Sequence, residues 1–531
     1  MNTVTPSQQQ APPSALNRVR VVYPLIFSLI CAFTAELLLK DFMEHDTELM
    51  RSALGRVTAV FIGLYIVQRF AILSFRLYRP NLKNLVCIFS VLLGCIILVW
   101  LGKLLSISLS TYLSSVKSVG AVPAETFYFA IPFATGGFLL QAVLGLQYGM
   151  VFSVSLSLIA AIYFPGTPIF SLYALVTSLI ACLSLSHLRS RSAYLRAGLN
   201  VSLFSLVLCL AALLMKEDLV TAAAPLGILA ALIGGILCAF LASGITPIVE
   251  HVGGYVTDMR LIEMATLDHP LLKELSIQAP GTWNHSMVMG MMVEAAADAI
   301  GANAVLARVG SYFHDIGKTK KPLYFVENQG SEENRHDKLS PSMSALIIRS
   351  HVKDGIELAR KHGMPSAIED MIPQHHGTSR IEFFYEKARN EAEEAGHDPE
   401  SVDESLYRYP GPKPQTREAG ILMLADGIEA AARTLSEPSF DRIQGMVQKM
   451  INKVFASGEL NECDLTLKDL HIIAKCFTRI LSGIYHQRIA YAEPAEKTKE
   501  SEIDVTSQPV SATEEKPEEE GSKEDLKRLG L

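Results

Sequence analysis

The sequence predicts an all-α chain, with a multi-span helical membrane domain followed by a second helical domain outside the bilayer. Three observations carry this prediction. Eight apolar stretches, nearly free of charge, follow one another in the first half. The 531 residues are 49% hydrophobic and only 19% charged, where soluble chains average about 25% charged. The chain is also asymmetric: residues 1–250 hold 15 Lys/Arg and 9 Asp/Glu, whereas residues 251–531 hold 32 and 45, together with 12 of the 14 histidines. No alternating strand pattern of useful length interrupts the second half. This composition excludes a wholly disordered chain, a disulfide scaffold and a strongly basic domain for a nucleic-acid polymer.

A bilayer core about 30 Å thick needs roughly 20 apolar residues per helix. The stretches that meet or approach this are Val21–Leu39, Val57–Leu77, Leu85–Leu101, Phe127–Leu144, Gly149–Phe164, Ile169–Leu188, Tyr194–Met215 and Ala222–Glu250. The fourth and fifth are parted only by Gly145–Tyr148, so the count is seven or eight. Arg18 and Arg20 precede the first stretch, but no small-residue cleavage site follows it, which makes it a retained span. Arg18/Arg20, Arg76/Arg79/Lys83 and Arg189/Arg191/Arg196 fall on one side of an eight-span arrangement. Basic loops stay in the cytoplasm, so both ends of the chain are expected there. Glu36, Arg69 and Glu125 lie near span ends and are expected to snorkel. No chain of acids and histidines crosses the bilayer, which favours an anchor or sensor over a proton-coupled transporter. Six of the eight cysteines lie in the spans, and neither Cys463 nor Cys476 belongs to a CxxC pair. A cysteine-zinc site is therefore not expected.

Five segments follow from this reading: a cytoplasmic N-terminus (1–20), the membrane domain (21–250), a helical connector (251–281), the second domain (282–490) and a disordered acidic tail (491–531). In the connector, Met259, Ile262, Leu267, Leu271, Leu272 and Leu275 recur at near-helical spacing. Pro270 interrupts that pattern and Pro280-Gly281 ends it. In the second domain, helices are predicted from an N-cap at Thr282 to Ile300, over Ala302–Ile316, from Ser340-Pro341 to His362, from Pro365 to His376, and over Arg417–Leu435, Phe440–Ala456 and Leu465–Ala490. Metal-ligand residue types recur in these helices and at their ends: His285, His314-Asp315, His351, His375-His376 and Asp426. A carboxylate such as Asp315, directly after an apolar turn, is costly to bury unless a cation pairs with it. Imidazole together with carboxylate suits an octahedral transition metal.

The ordered set resembles the HD-domain phosphohydrolases, named for the His-Asp pair seen here within His314-Asp315-Ile316-Gly317-Lys318. Pro280-Gly281-Thr282, Ala307–Gly310, Tyr324–Gln329, Ser350–Gly355, Gln374–Ser379 and Tyr409–Gln415 narrow the resemblance to the seven-transmembrane HD family, over residues 53–490. Two departures stand out. Only Lys40–Ser52 fills the place of the family's large external domain, and Asn284 precedes His285 where an aromatic residue or His is expected.

The resemblance implies a plasma (inner) membrane protein of bacteria that hydrolyses cyclic di-AMP to linear pApA. It implies two divalent cations, Mn²⁺ or Fe²⁺. Asp315 would bridge them, His285, His314 and Asp426 would complete one, and His351 with His375, His376 or both would complete the other. Lys318 is a candidate for phosphate or the leaving oxygen, with a solvated helix-end lysine as the alternative. Thr378, Ser379 and Arg380 are weaker phosphate candidates. Tyr324, Phe325 and Tyr409 are either stacking surfaces or core. The expected partners are a cyclic dinucleotide and the lipid bilayer, with a homodimer left open. The Gly-Tyr-Pro signature of relatives that cleave cyclic di-GMP is missing after His376. The alternatives are an HD phosphohydrolase for another nucleotide and a receptor that binds nucleotide without cleaving it.

Overall fold

The computed structural model describes residues 18–485, except 41–47, 76–77, 79, 117–120, 165–168, 186–189, 191, 217–220, 222, 331–333 and 437. Arg76, Arg79, Arg189 and Arg191 of the basic clusters, and the expected tail 491–531, lie outside the described residues. Among the described residues the chain is helical and forms no strand; one isolated bridge joins Arg380 and Arg408.

The described residues of the first half fold as eight apolar helices: α1 (Tyr23–Leu39), α2 (Glu48–Ser74), α3 (Leu82–Ser115), α4 (Thr135–Leu144), α5 (Leu146–Tyr163), α6 (Ile169–Ser184), α7 (Ser192–Met215) and α8 (Ala223–Gly253). A 3₁₀ helix, Ala124–Ala130, leads into α4. Among the described residues six segments are long and apolar enough to cross a membrane, while Tyr23–Leu39 and Ile169–Ser184 are shorter apolar helices. Leu37, Leu105 and Phe240 are 68%, 69% and 68% exposed. Apolar surface of this kind is stable where lipid covers it. Between α7 and α8 the backbones nearly touch: a Cβ on Gly235 would lie 2.4 Å from the Ser202 nitrogen. Small residues at helix contacts allow such close packing in membranes.

Glu36 departs from the expectation that it snorkels. It is buried, and its carboxylate accepts from Arg56 Nε and Nη2 at 3.0 and 2.8 Å and from the Tyr163 hydroxyl at 2.9 Å. This ties α1, α2 and α5 together, because a buried carboxylate needs such partners. Glu125 does meet solvent, in an exposed pair with Lys216 at 2.6 Å.

Gly254, with φ +59°, ends α8 and turns the chain into the connector. Lys83 Nζ donates to the Gly254 carbonyl at 3.0 Å and lies 4.4 Å over the Tyr255 ring. The connector is two helices, α9 (Asp258–Met264) and α10 (Pro270–Gln278). Pro270 occupies the first turn of α10, where its missing N–H costs nothing. Leu261, Leu271, Leu272 and Leu275 bury themselves against Val305, Val309, Phe313 and Ile372 of the following domain.

That domain comprises α11 (Pro280–Ala299), α12 (Ala304–Phe313), α13 (Pro341–Lys361), α14 (Ser366–Glu369), α15 (Met371–Gln374), α16 (Glu382–Glu394), α17 (Arg417–Arg433), α18 (Phe440–Ala456) and α19 (Leu467–Ile484). Its core is built around α11, whose Met289, Met292, Val293 and Ala296 pack with Ile421, Leu424, Ile428 and Phe477. Thr282 is not the N-cap of α11, which starts at Pro280. Its hydroxyl donates instead to Glu327 Oε1 at 3.0 Å. The helix expected from Pro365 to His376 is two short pieces, since Pro373 has no N–H to continue the ladder.

Candidate metal centre

Five segments converge on one buried cluster. His285 comes from the first turns of α11. His314 and Asp315 close α12, His351 lies in the middle of α13, His375 and His376 follow α15, and Asp426 lies in α17. Gly317 allows the convergence: a Cβ there would lie 1.9 Å from the His351 carbonyl oxygen, so only glycine lets the turn after Asp315 lie against α13.

The tautomers are fixed by the fold. Nδ1 of His314, His351 and His375 each lies 2.6 Å from a carbonyl three residues earlier, that of Ser311, Ile348 and Ile372. A carbonyl only accepts, so each Nδ1 carries the proton and each Nε2 presents a lone pair. These lone pairs face Asp315: His314 Nε2 lies 3.2 Å from Oδ2, and His351 and His375 Nε2 lie 3.3 and 3.7 Å from Oδ1. None of the three Nε2 atoms has a hydrogen-bond partner. Acceptors turned towards one another in a buried space need a cation between them.

Protons do not fit that need. Burial, followed by the neighbouring His376 and His314, holds His375 well below the usual histidine range. Burial likewise lowers His351, and lowers His376 to about 3. Burial alone would raise the Asp315 carboxyl, but the adjoining His314 and Lys318 outweigh it and hold the group well below the usual carboxylate range. Burial alone would also lower His285, but Asp426 and Glu429 outweigh it and raise the group to about 9. The lowered imidazoles of His351, His375 and His376 beside an ionised carboxylate suit a divalent metal.

The ligand atoms fall into three overlapping groups, each with all its atoms within 4.8 Å of one another: His285, His314 and Asp426; His351, His375 and His376; and His314, Asp315 and His375. His376 stands with His351, whereas His375 stands both with His351 and with His314 and Asp315. The side chains of His376 and Asp426 are 19% and 18% exposed and mark the open side.

Lys318 is no solvated helix-end lysine. Its ammonium lies 2.7 Å from Asp315 Oδ2 and 2.8 Å from Glu327 Oε1, and 4.9 Å over the Phe325 ring. Burial alone would lower its pKa, but the two carboxylates outweigh it and keep the group charged. The structure does not bring Thr378 and Arg380 into the cluster as free phosphate ligands. The Thr378 hydroxyl donates to Glu459 at 2.5 Å, and Arg380 pairs with Glu382 at 2.6 Å and Glu404 at 3.5 Å. Ser379 donates to the His376 carbonyl at 2.5 Å. Of the three aromatics, Tyr409 stacks on His376 with centroids 4.1 Å apart and Phe325 meets His351 edge-on at 5.7 Å. Tyr324 instead faces His336.

Two residues escaped sequence reasoning. Glu429 lies 2.5 Å from His285 Nδ1, and Glu327 holds Lys318. The readable signal for Glu429 is its place one turn after Asp426 in a helix whose neighbours are apolar.

Residues 50–257 match the family model described as 7TM receptor with intracellular HD hydrolase, and residues 282–431 match the HD domain. The second match spans all seven residues of the cluster. The chain is similar to the cyclic-di-AMP phosphodiesterase PgpH of Bacillus subtilis (strain 168), with 38% identity over 381 residues, 70% of this chain and 52% of that protein. It is similar to the protein of the same name from Listeria monocytogenes serotype 1/2a, with 38% identity over 371 residues, 69% of this chain and 50% of that protein. Among solved structures it is similar to the HD domain of L. monocytogenes phosphodiesterase PgpH in complex with cyclic-di-AMP. That likeness has 46% identity and a TM-score of 0.39, and covers 42% of this chain and 100% of that one. The chain spans about half the length of the curated relatives it matches.

Proposed function

Because the chain carries, in order, the membrane module of the 7TM receptors with intracellular HD hydrolase and an HD domain, and so belongs to that family, we propose that it is a membrane-anchored, metal-dependent phosphodiesterase that opens cyclic di-AMP to linear pApA. The observation that carries this reading is the set of unpartnered Nε2 lone pairs turned on Asp315, with two His-containing ligand groups on either side.

His285, His314 and Asp426 would hold one cation, His351 with His375, His376 or both would hold the other, and Asp315 would serve both. Mn²⁺ and Fe²⁺ suit these donors. Two such cations supply hydroxide near neutral pH and neutralise charge on phosphoryl oxygens. The side chains do the rest. The Nδ1 bonds of His314, His351 and His375 hold their rings in the ligating orientation. Lys318, kept charged by Asp315 and Glu327, adds a positive group for an anionic phosphodiester. The rings of Tyr409 and Phe325, beside His376 and His351, offer flat surfaces at the cluster's edge. Adenine as the base is supported by the names of the relatives and by Gly377-Thr378-Ser379 standing where a Gly-Tyr-Pro signature would mark cyclic di-GMP chemistry. The eight apolar helices act as anchor or sensor.

The test is turnover by the purified full chain in detergent. Cyclic di-AMP is expected to give pApA with kcat/KM at least about tenfold above cyclic di-GMP, a difference of about 1.4 kcal/mol in transition-state binding. Chelator should stop the reaction, and Mn²⁺ or Fe²⁺ should restore it. Equal or preferred turnover of cyclic di-GMP would overturn the substrate reading and leave the metal reading intact.

A further inference from the structure

We infer that Glu429 positions His285 for metal binding and that Arg433 in turn holds Glu429; this rests on the two-metal reading above. His314, His351 and His375 are oriented by carbonyls of their own local backbone. His285 differs. Its Nδ1 meets a side chain from another helix, Glu429 Oε2, at 2.5 Å. Glu429 is 1% exposed, and its other oxygen accepts from Arg433 Nε at 2.7 Å and from the Tyr485 hydroxyl at 3.5 Å.

Arg433, one turn further along α17, donates to Glu429 Oε1 and holds the other oxygen on His285. An ionised carboxylate accepts only, so Nδ1 of His285 must carry the proton. Nε2 lies 3.1 Å from Asp426 Oδ1, in the group His285 shares with His314 and Asp426, and is the nitrogen that would turn to a cation there. An anionic partner also makes the ligating nitrogen a stronger donor than a carbonyl would. The two ligand groups are thus built unequally: His285 of one is backed by a carboxylate, whereas His351 and His375 of the other are backed by neutral carbonyls.

Glutamine at position 429 tests this at nearly constant volume. It has a single acceptor oxygen for two donors, His285 Nδ1–H and Arg433 Nε–H, so one donor must face an amide N–H. Full-length protein in detergent is stripped with chelator and titrated with Mn²⁺, with free Mn²⁺ read by electron paramagnetic resonance. In Glu429→Gln one of the two binding events is expected to weaken by about 10- to 100-fold and the other to stay unchanged, with the thermal midpoint of the metal-free form retained. Adding Arg433→Met to Glu429→Gln frees the amide oxygen for His285 and is expected to recover part of the loss. Should Glu429→Gln fail to fold, Arg433→Met alone decides, and is expected to weaken the same single event. Unchanged titrations overturn the inference. So does an equal loss in both events accompanied by a lower metal-free midpoint, which would mark Glu429 as structural only. A wild-type chain that binds no Mn²⁺ would remove the two-metal reading and this inference together. Wild-type binding with an unaltered variant would remove only this one.

Discussion

Asp315 is fully buried and holds its charge beside Lys318 and three imidazole nitrogens. One carboxylate facing both ligand groups makes it the residue whose loss should cost most. Asp315→Ala is expected to reduce turnover to background and to lower the metal content of the purified protein. His362→Ala is the control: its Nδ1 lies 3.0 Å from the Leu358 carbonyl of its own helix, away from the cluster, and activity and metal content should hold. Full metal content and activity in Asp315→Ala would sink the two-cation assignment. The ligating residue types were legible because their order along the chain is itself a pattern. The carbonyls behind His314, His351 and His375 are local, but the support of His285 was not legible, because Glu429 lies 144 residues on. Thr378 read as a phosphate ligand, but Glu459, 81 residues on, occupies it. Glu36 read as a snorkelling acid, but Arg56 and Tyr163 from two other helices enclose it.

Helices with a strong apolar stripe were readable nearly to the residue. Phe440–Ala456 and the start of α13 after the Ser340 cap are examples. Helix α16 was missed because its thirteen residues are mostly charged and bury only Phe384 and Tyr385, too few to set a period. Helix α12, which delivers His314 and Asp315, starts two residues later than the expected Ala302, because Asn303 caps it. Asn303 Oδ1 accepts from the Leu306 nitrogen at 2.9 Å, its amide donates to Asp258 at 3.1 Å, and its backbone nitrogen donates to Glu418 at 2.7 Å. The connector and the helix carrying Asp426 therefore meet at this cap. Asn303→Ala should cost about 1 kcal/mol, read as a lower thermal midpoint by circular dichroism. Asn303→Asp ordinarily caps as well as asparagine, but here it would turn a carboxylate on Asp258 with Glu418 close by. Aspartate is therefore expected not to rescue, and full recovery by Asn303→Asp would show that the link to Asp258 contributes nothing.

At the scale of the whole molecule, the question is on which side of the membrane the cluster lies. Residues 83 and 254 are 171 positions apart and in contact, through Lys83 Nζ and the Gly254 carbonyl. Tyr255 also donates to Asn84 at 3.0 Å, and the Asn84 amide reaches the Tyr148 hydroxyl at 3.4 Å. The start of α3, the junction of α4 and α5, and the end of α8 thus share one side, as an even number of crossings between them requires. The connector, and with it the domain up to residue 485, leaves from that side. Lys83 stands there with Arg76 and Arg79 beside it in sequence, and basic residues next to span ends are retained in the cytoplasm. An intracellular dinucleotide could reach the cluster only from there. A reporter fused after Leu531 is therefore expected to show cytoplasmic activity and no external activity. The same reporter placed between α3 and α4, at residues 117–120, should behave in the opposite way. External activity at the C-terminal fusion would overturn the orientation and, with it, access of the candidate metal centre to an intracellular substrate.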